Sequence, residues 1–243
     1  MVPCKQAPKV EACNDSRPAV AIDPGVRNFL TCYSNDGDGF TVGKDMVVKL
    51  MHILRTIDSI DSRLTQATNH AERRRLRRTK LTLYQRYANV RDDYHWKIAN
   101  FLSSRYGTVL LPRLEVQALA GKLRTKTNRE MQASSPYLFC QRLKHKCTER
   151  NSVFMPARED YTTITCGCCG QLNHIGTSTV FYCSCGNVSH RDLHAARNIM
   201  LKHLHYCELP PSFLQGMDAY VTAPPQFALA ETDANDERVS HLM

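Results

Sequence analysis

The sequence predicts an α/β fold: a mixed sheet carrying a helical insertion and an inserted cysteine ribbon. Three observations point to it. Two short apolar runs far apart in the chain, PAVAID at 18–23 and TVLLPRLE at 108–115, each end in a carboxylate. Between them, from Lys44 to Tyr106, apolar residues recur at three and four positions, the period of a helix with one buried face. Near the C-terminal end, five cysteines fall within residues 166–185, directly ahead of a second helical pattern.

Taken in order, residues 1–17 form an irregular leader. PAVAID is a buried strand. NFLTCYS and GFTVG then flank NDGDG, a strong turn signal, so three consecutive strands are expected, the last two as a hairpin. Met46, Leu50, Ile53, Leu54, Ile57, Ile60 and Leu64 mark one helix; Leu83, Tyr87, Val90, Tyr94 and Ile98 mark another. A break near Thr68–Ala71 makes the pair a helical hairpin. TVLLPRLE is a second buried strand. Residues 117–133 are polar, basic and aperiodic and read as a loop. SPYLFCQRLKHKCTER at 135–150 reads as a basic amphipathic helix, NSVFMP as a short strand, and DLHAARNIMLKHL as the helix that leaves the ribbon. The proline- and acid-rich tail at 208–243 has the composition of a disordered segment.

Charge narrows the function classes. The 243 residues carry a formal net charge of +9, which favours a polyanionic partner, nucleic acid first. The charge is clustered. Residues 72–80 hold six basic side chains against one acid, and 113–150 hold nine against three, whereas 208–243 hold six acids and one arginine. Arg73, Arg74, Arg75, Arg77, Arg78, Lys122, Arg124, Lys126 and Arg129 are candidates for gripping a phosphate backbone; a solvated helix face is the plainer reading. The 11 cysteines are odd in number and show no regular framework outside the ribbon, which fits a reduced compartment. No apolar run approaches the ~18 residues of a membrane helix, and the N-terminus lacks the apolar core of a signal peptide. The expectation is an intracellular protein with no membrane partner. RRRLRRTK reads as a nuclear address.

Two features carry chemistry. Cys166 and Cys169 are followed by Gly170, and Cys183 and Cys185 by Gly186, with the second pair starting 14 positions after Cys169. Such Cys-Gly turns at ribbon spacing can close a tetrahedral four-thiolate zinc site. Ordinary buried thiols or disulfide partners are the alternative, and Cys168 is a third candidate in the first knuckle. The other feature is a set of separated carboxylates, Asp23 and Glu115 at strand ends and Asp192 in the first turn of the last helix. Converging, they would offer hard oxygen ligands to Mg²⁺ or Mn²⁺, and paired ions of that kind support phosphodiester hydrolysis.

These motifs also carry a resemblance. IDPGVRNFLTCYS resembles the first nuclease motif of the TnpB and Fanzor proteins, transposon-encoded RNA-guided DNA nucleases related to type V CRISPR effectors. LLPRLE is similar to their second motif, and YTTITCGCCGQLNH, FYCSCG and RDLHAARNIM to their zinc ribbon interleaved with the third. DPGVR, the arginine-rich insert and GQLNH bring the chain nearer the Fanzor branch.

The likeness runs from about residue 19 to 203. It implies a RuvC-type, RNase H-like domain over 18–160 and 189–207, with a helical insertion at 44–106 and a zinc ribbon at 161–188. Asp23, Glu115 and Asp192 would be its metal-binding catalytic acids, and Cys166, Cys169, Cys183 and Cys185 its structural zinc ligands. Family members recognise guide RNA and target DNA through a region ahead of the first motif, and little chain precedes Asp23 here. The resemblance therefore implies the nuclease half alone, as a gene fragment, a split product or a degenerate copy, with DNA as partner and guide RNA or a separate N-terminal recognition partner as further candidates. His190 and His194 stand where the family has Asp and Asn, and His194 would either donate a hydrogen bond to a neighbouring carboxylate or misplace it. The leading expectation is a metal-dependent DNA endonuclease. The alternatives are an inactive nucleic-acid-binding remnant and a zinc-ribbon interaction protein.

Overall fold

The computed structural model describes residues 16–112, 125–176 and 178–206. Most of the leader, the acidic tail, Glu115, Lys122 and Arg124 lie outside the described residues.

The first three strands form as the alternation and turn chemistry dictate. β1 (Ala19–Pro24) pairs antiparallel with β2 (Leu30–Ser34), which pairs antiparallel with β3 (Gly39–Val42). The β2–β3 turn closes where Ser34 N–H donates to the Asp38 carbonyl at 2.8 Å and Gly37 N–H to the Ser34 carbonyl at 3.0 Å. β4 (Thr108–Pro112) lies parallel to β1, and β5 (Val153–Ala157) parallel to β4. The result is a mixed five-stranded sheet in the order β3-β2-β1-β4-β5. Because β1, β4 and β5 are mutually parallel, their C-terminal ends share one edge.

Two helices follow β3. α1 (Lys44–Gln66) and α2 (His70–Arg105) fold back on one another. The break falls at Ala67–Asn69, where Ala67 is extended and the Asn69 side chain caps α2 by accepting from Ala71 N–H at 2.8 Å. Lys49 Nζ donates to Tyr94 Oη at 2.7 Å and Lys80 pairs with Asp61 at 2.5 Å, so contacts cross the hairpin along its length. At 36 residues, α2 is about 54 Å long at 1.5 Å per residue. Its arginine cluster occupies the end remote from Ile98, Ala99 and Leu102, which pack into the core beneath the sheet.

One element departs from expectation. Within the stretch read as a loop, residues 125–133 form α3 (Thr125–Ala133). Its apolar content is too sparse for any periodicity. Tertiary contacts hold it instead: Arg129 pairs with Asp58 at 2.8 Å, and Tyr87 Oη donates to the Ala133 carbonyl at 2.6 Å. A short helix owes its stability to such packing rather than to propensity. α4 (Pro136–Glu149) begins with proline in its first turn and buries Phe139, Leu143 and Cys147 at helical spacing.

Alternation along β1 sorts the core into two layers. Val20 and Ile22 face α1, α2 and α4 with Met46, Leu50, Leu102, Phe139 and Leu143. Ala19 and Ala21 face the other side, with Leu110, Ala157 and the final helix α5 (Arg191–Tyr206), which contributes Ala196, Ile199 and Met200. The alanines on both surfaces let α5 lie close to the sheet.

The larger layer also encloses His95. Its ring stacks on Phe29 at 5.4 Å and meets Phe139 edge-on at 5.3 Å. Nε2–H donates to the Ser134 carbonyl at 2.8 Å, while Nδ1 faces the Arg142 guanidinium at 3.2 Å. Burial is the main cause that depresses its pKa from 6.5 to about 4, and the Arg142 and Arg91 cations add to it against a nearby Asp92. Below its unfolded value the unfolded chain takes up a proton that the folded chain refuses, so stability present at neutral pH drains away between roughly pH 6.5 and 4. The wild type should lose up to about 3 kcal/mol over that window from this group. Urea midpoints of wild type and His95→Gln, measured across it, should converge as the pH falls.

Candidate functional site

The ribbon's two turns differ in length yet deliver equivalent thiols. In the first, Gly170 N–H donates to the Cys166 carbonyl at 2.9 Å, four residues back; in the second, Gly186 N–H donates to the Cys183 carbonyl at 3.0 Å, three residues back. Both glycines are left-handed, with φ 77° and 89°, a conformation open to glycine at little cost. The tighter turn compensates for the missing residue between Cys183 and Cys185. All four sulfurs lie within 4.8 Å of one another, with Cys166–Cys185 at 3.7 Å and Cys169–Cys183 at 3.5 Å. A tetrahedral zinc site with Zn–S bonds of about 2.3 Å requires S···S edges of about 3.8 Å, so the cluster is sized to hold such an ion.

Polar donors surround the cluster. Asn187 Nδ2 and Cys168 N–H each lie 3.5 Å from Cys166 Sγ, and Asn173 Nδ2 lies 3.4 Å from Cys183 Sγ. Backbone donation at Cys185, then hydrogen bonds from the Cys169 and Cys185 thiols and from Asn173, lower the Cys183 thiol to about 6. Cys168 contributes its amide to this site, and its sulfur stands outside the four-sulfur group.

A short hairpin, β6 (Val180–Tyr182) paired with β7 (Val188–His190), connects the cage to α5 with no intervening residue. The seam is extensive. The His194 ring stacks on Phe181 at 3.8 Å and its Nε2–H donates to the Thr165 carbonyl at 2.8 Å. Asn198 Nδ2 donates to the Thr162 and Thr165 carbonyls, each at 2.7 Å. Arg191 N–H bonds the Thr179 carbonyl at 2.8 Å and its guanidinium the Ser178 carbonyl at 3.0 Å. His194 thus anchors the ribbon rather than a carboxylate, correcting the expectation from sequence. The aromatic neighbour Phe181 and the turn at Thr165 claim both its face and its proton.

Asp23 continues the face of β1 that holds Ala19 and Ala21, the face covered by α5, and Asp192 stands in the first turn of that helix. On β5, Met155 and Ala157 belong to the same layer, and Glu159 follows two residues later at the same sheet edge. Asp23 feels the charges of the other two acids. Burial raises the Asp23 pKa from 3.8 to about 7, with the Asp192 and Glu159 charges adding to the rise and Arg191 opposing it. Arg191 Nε also bonds Asp192 at 3.2 Å. The carboxylates do not close to the spacing of the cysteine cluster, which is the one group of that density among the described residues.

Glu159 was missed because the strand NSVFMP reads as ending at its proline. Applying to it the rule already applied to PAVAID and TVLLPRLE, an acid just past the end of a parallel strand, would have found it.

The proposed backbone-gripping residues divide. Arg73, Arg74, Arg75, Arg77 and Arg78 are all exposed around buried Leu76, and His70, Arg74, Arg75 and Arg78 line a cleft of about 540 Å³. Arg129 is engaged by Asp58. Lys126 lies in α3, and Lys122 and Arg124 lie outside the described residues. Two further cations stand at the acidic edge: Arg27, in the turn after β1, and Arg158, between β5 and Glu159. Both have no side-chain partner among the described residues.

Comparison with known proteins supplies a second line of observation. A family model described as "Probable transposase" matches residues 2–123, and one described as "Cas12f1-like, TNB domain" matches residues 137–199. The chain is 39% identical over 205 residues to a putative transposase of Paramecium bursaria Chlorella virus 1, covering 84% of this chain and 47% of that protein. It is 29% identical over 195 residues to a TnpB-like protein of Acanthamoeba polyphaga mimivirus, covering 77% of this chain and 38% of that protein. The chain thus spans less than half the length of these relatives. Among solved structures, the cryo-EM structure of a Cas12f1-sgRNA-target DNA complex matches with a TM-score of 0.46 and 20% identity, over 75% of this chain and 49% of that one.

Proposed function

Since the chain belongs to the TnpB-like family of probable transposases, we propose that it is the DNA-cleaving portion of a transposon-associated, RNA-guided endonuclease of the Fanzor or TnpB type. Its sheet is then an RNase H-like, RuvC-type sheet, and its acidic edge the place where DNA phosphodiesters are hydrolysed. The observation that supports this reading is that Asp23 at the end of β1 feels the charges of Asp192 in α5 and Glu159 just past β5, which with burial raise its pKa to about 7. Carboxylates crowded in this way are costly without a cation.

Oxygen donors from three elements fit Mg²⁺ or Mn²⁺. Such ions supply a nucleophilic water at neutral pH and neutralise charge on the leaving oxygen. Asp23 and Asp192 would hold them together with a third acid, Glu115 or Glu159. Arg27 and Arg158 would draw the scissile phosphate to the edge, and Arg191 restrains Asp192. The cysteine cluster would hold structural Zn²⁺ and fix the entry to α5. Guide RNA and target selection would be supplied by a recognition region or partner beyond the described residues.

The third acid is testable. Glu159→Gln should lower Mn²⁺-dependent cleavage of labelled single-stranded DNA by at least a hundredfold while leaving its binding within about twofold, as removal of one ligand of paired catalytic ions requires. If Glu115→Gln causes that loss and Glu159→Gln does not, Glu115 is the third ligand and Glu159 only a neighbouring charge.

A further inference from the structure

Of the described residues outside glycine, Ser135, Asn151 and Tyr161 have left-handed backbones. Ser135 stands at the start of α4, and asparagine tolerates this region well. Tyr161 is the anomaly. It has φ 62° and a side chain 69% exposed. The conformation costs an L-residue about 1–2 kcal/mol, and a tyrosine ordinarily recovers such a cost by burying its ring. This ring makes no hydrogen bond, stack or cation contact among the described residues.

The backbone around it is pinned. The Tyr161 carbonyl accepts from Ile164 N–H at 3.2 Å, Thr165 N–H at 3.0 Å and Thr165 Oγ1 at 2.8 Å. The Glu159 carbonyl accepts from Thr162 Oγ1 at 2.8 Å, and Lys202 Nζ bonds the Asp160 carbonyl at 2.8 Å. A rigid turn therefore presents an unpartnered aromatic ring two residues beyond Glu159, between the acidic edge and the cysteine cage. Asparagine or glycine would serve that turn at lower cost, so the fold alone does not account for the side chain. Strain of this kind, retained where the surroundings over-determine it, marks functional positions.

Resting on the nuclease reading above, we propose that Tyr161 is a stacking platform for an unpaired base of the DNA strand led to the acids. Every base offers a π-face, so the platform is tolerant of sequence. Arg27 and Arg158 lie on the turns at the same edge, where they meet the phosphates flanking the stacked base.

The test uses a short single-stranded oligodeoxynucleotide carrying a fluorescent base analogue that is quenched on stacking, with the full chain, in low salt and without divalent ions. Tyr161→Phe should bind and quench as the wild type does. Tyr161→Asn should bind roughly fivefold to a hundredfold more weakly, the range that loss of one stacking aromatic produces, and should show no quench while melting no lower than wild type. Unchanged affinity and quench in Tyr161→Asn overturn the proposal. So does a lowered melting temperature, because the ring would then be serving the fold. Binding is read on uncut DNA, so a failure of the nuclease reading appears separately, as Mn²⁺-dependent cleavage that is absent or indifferent to Asp23.

Discussion

Asp23→Asn should abolish Mg²⁺- or Mn²⁺-dependent DNA cleavage, by at least about a thousandfold for loss of a ligand common to the catalytic ions, and should stabilise the metal-free protein at the same time. The two effects have one origin. The Asp23 carboxyl is held near pKa 7 against 3.8 in an ordinary environment, chiefly by burial and then by the charges of Asp192 and Glu159. A folded-state value above the unfolded one means that the folded protein binds the proton more tightly. The group therefore costs nothing below about pH 4, and its full cost is felt above about pH 7. Three units correspond to at most about 4 kcal/mol. In buffer without added Mg²⁺ or Mn²⁺ at pH 8, Asp23→Asn should melt higher than wild type, and the difference should vanish by about pH 4. Adding Mn²⁺ at pH 8 should raise the wild-type melting temperature and leave the variant's unchanged. Metal-dependent cleavage by Asp23→Asn at the wild-type rate would remove Asp23 from the site.

Cys183→Ser should act through the other end of the seam. Cys183 sits 3.5 Å from Cys169, with Asn173 as its donor, and its replacement leaves three thiolates for a metal that needs four. Bound zinc, measured by elemental analysis of the purified chain, should fall from near one per chain to a small fraction. Because the binding energy of a structural zinc is largely folding energy, of order 10 kcal/mol, the ribbon should lose its amide protection from hydrogen exchange while β1, β4 and α2 keep theirs. Cleavage should fall with it, because Asp192 follows directly from β7 through Arg191. Chelation of the wild-type protein should reproduce the pattern. A variant that retains zinc and ribbon protection would show that Cys183 is dispensable to the cage.

Much of this architecture can be read in the sequence because local chemistry and tertiary structure agree there. PAVAID alternates between two covered faces, NDGDG supplies the hairpin turn, and the apolar spacing of α1 matches most of the residues it buries, while of the α2 set only Ile98 is fully buried and Leu83, Tyr87, Val90 and Tyr94 are half-buried. The knuckles announce themselves through cysteine and glycine. What could not be read depends on distant partners. α3 has hardly any apolar period and is held by Asp58 and Tyr87, residues that precede it by dozens of positions. The role of His194 required knowing that Phe181 would lie against its ring. Glu159 required knowing that β5 lies parallel to β4, which brings its outgoing end to the same sheet edge as Asp23, one strand removed. Tyr161 is invisible to periodicity because the oddity is a backbone angle.

The direct passage from β7 into α5 has a thermodynamic consequence. With His190 the last residue of the strand and Arg191 the first of the helix, no flexible joint insulates the thiolate cage from the acidic edge. On the proposed reading, with zinc in the cage and a divalent ion at the acids, ordering one site would help order the other, and the two affinities would be linked. Linkage is reciprocal: whatever factor an ion at the cage adds to the affinity of the acids, an ion at the acids returns to the cage. Occupancy of the one would then gauge the other, and the ribbon would act on the acids as an effector site within the same chain.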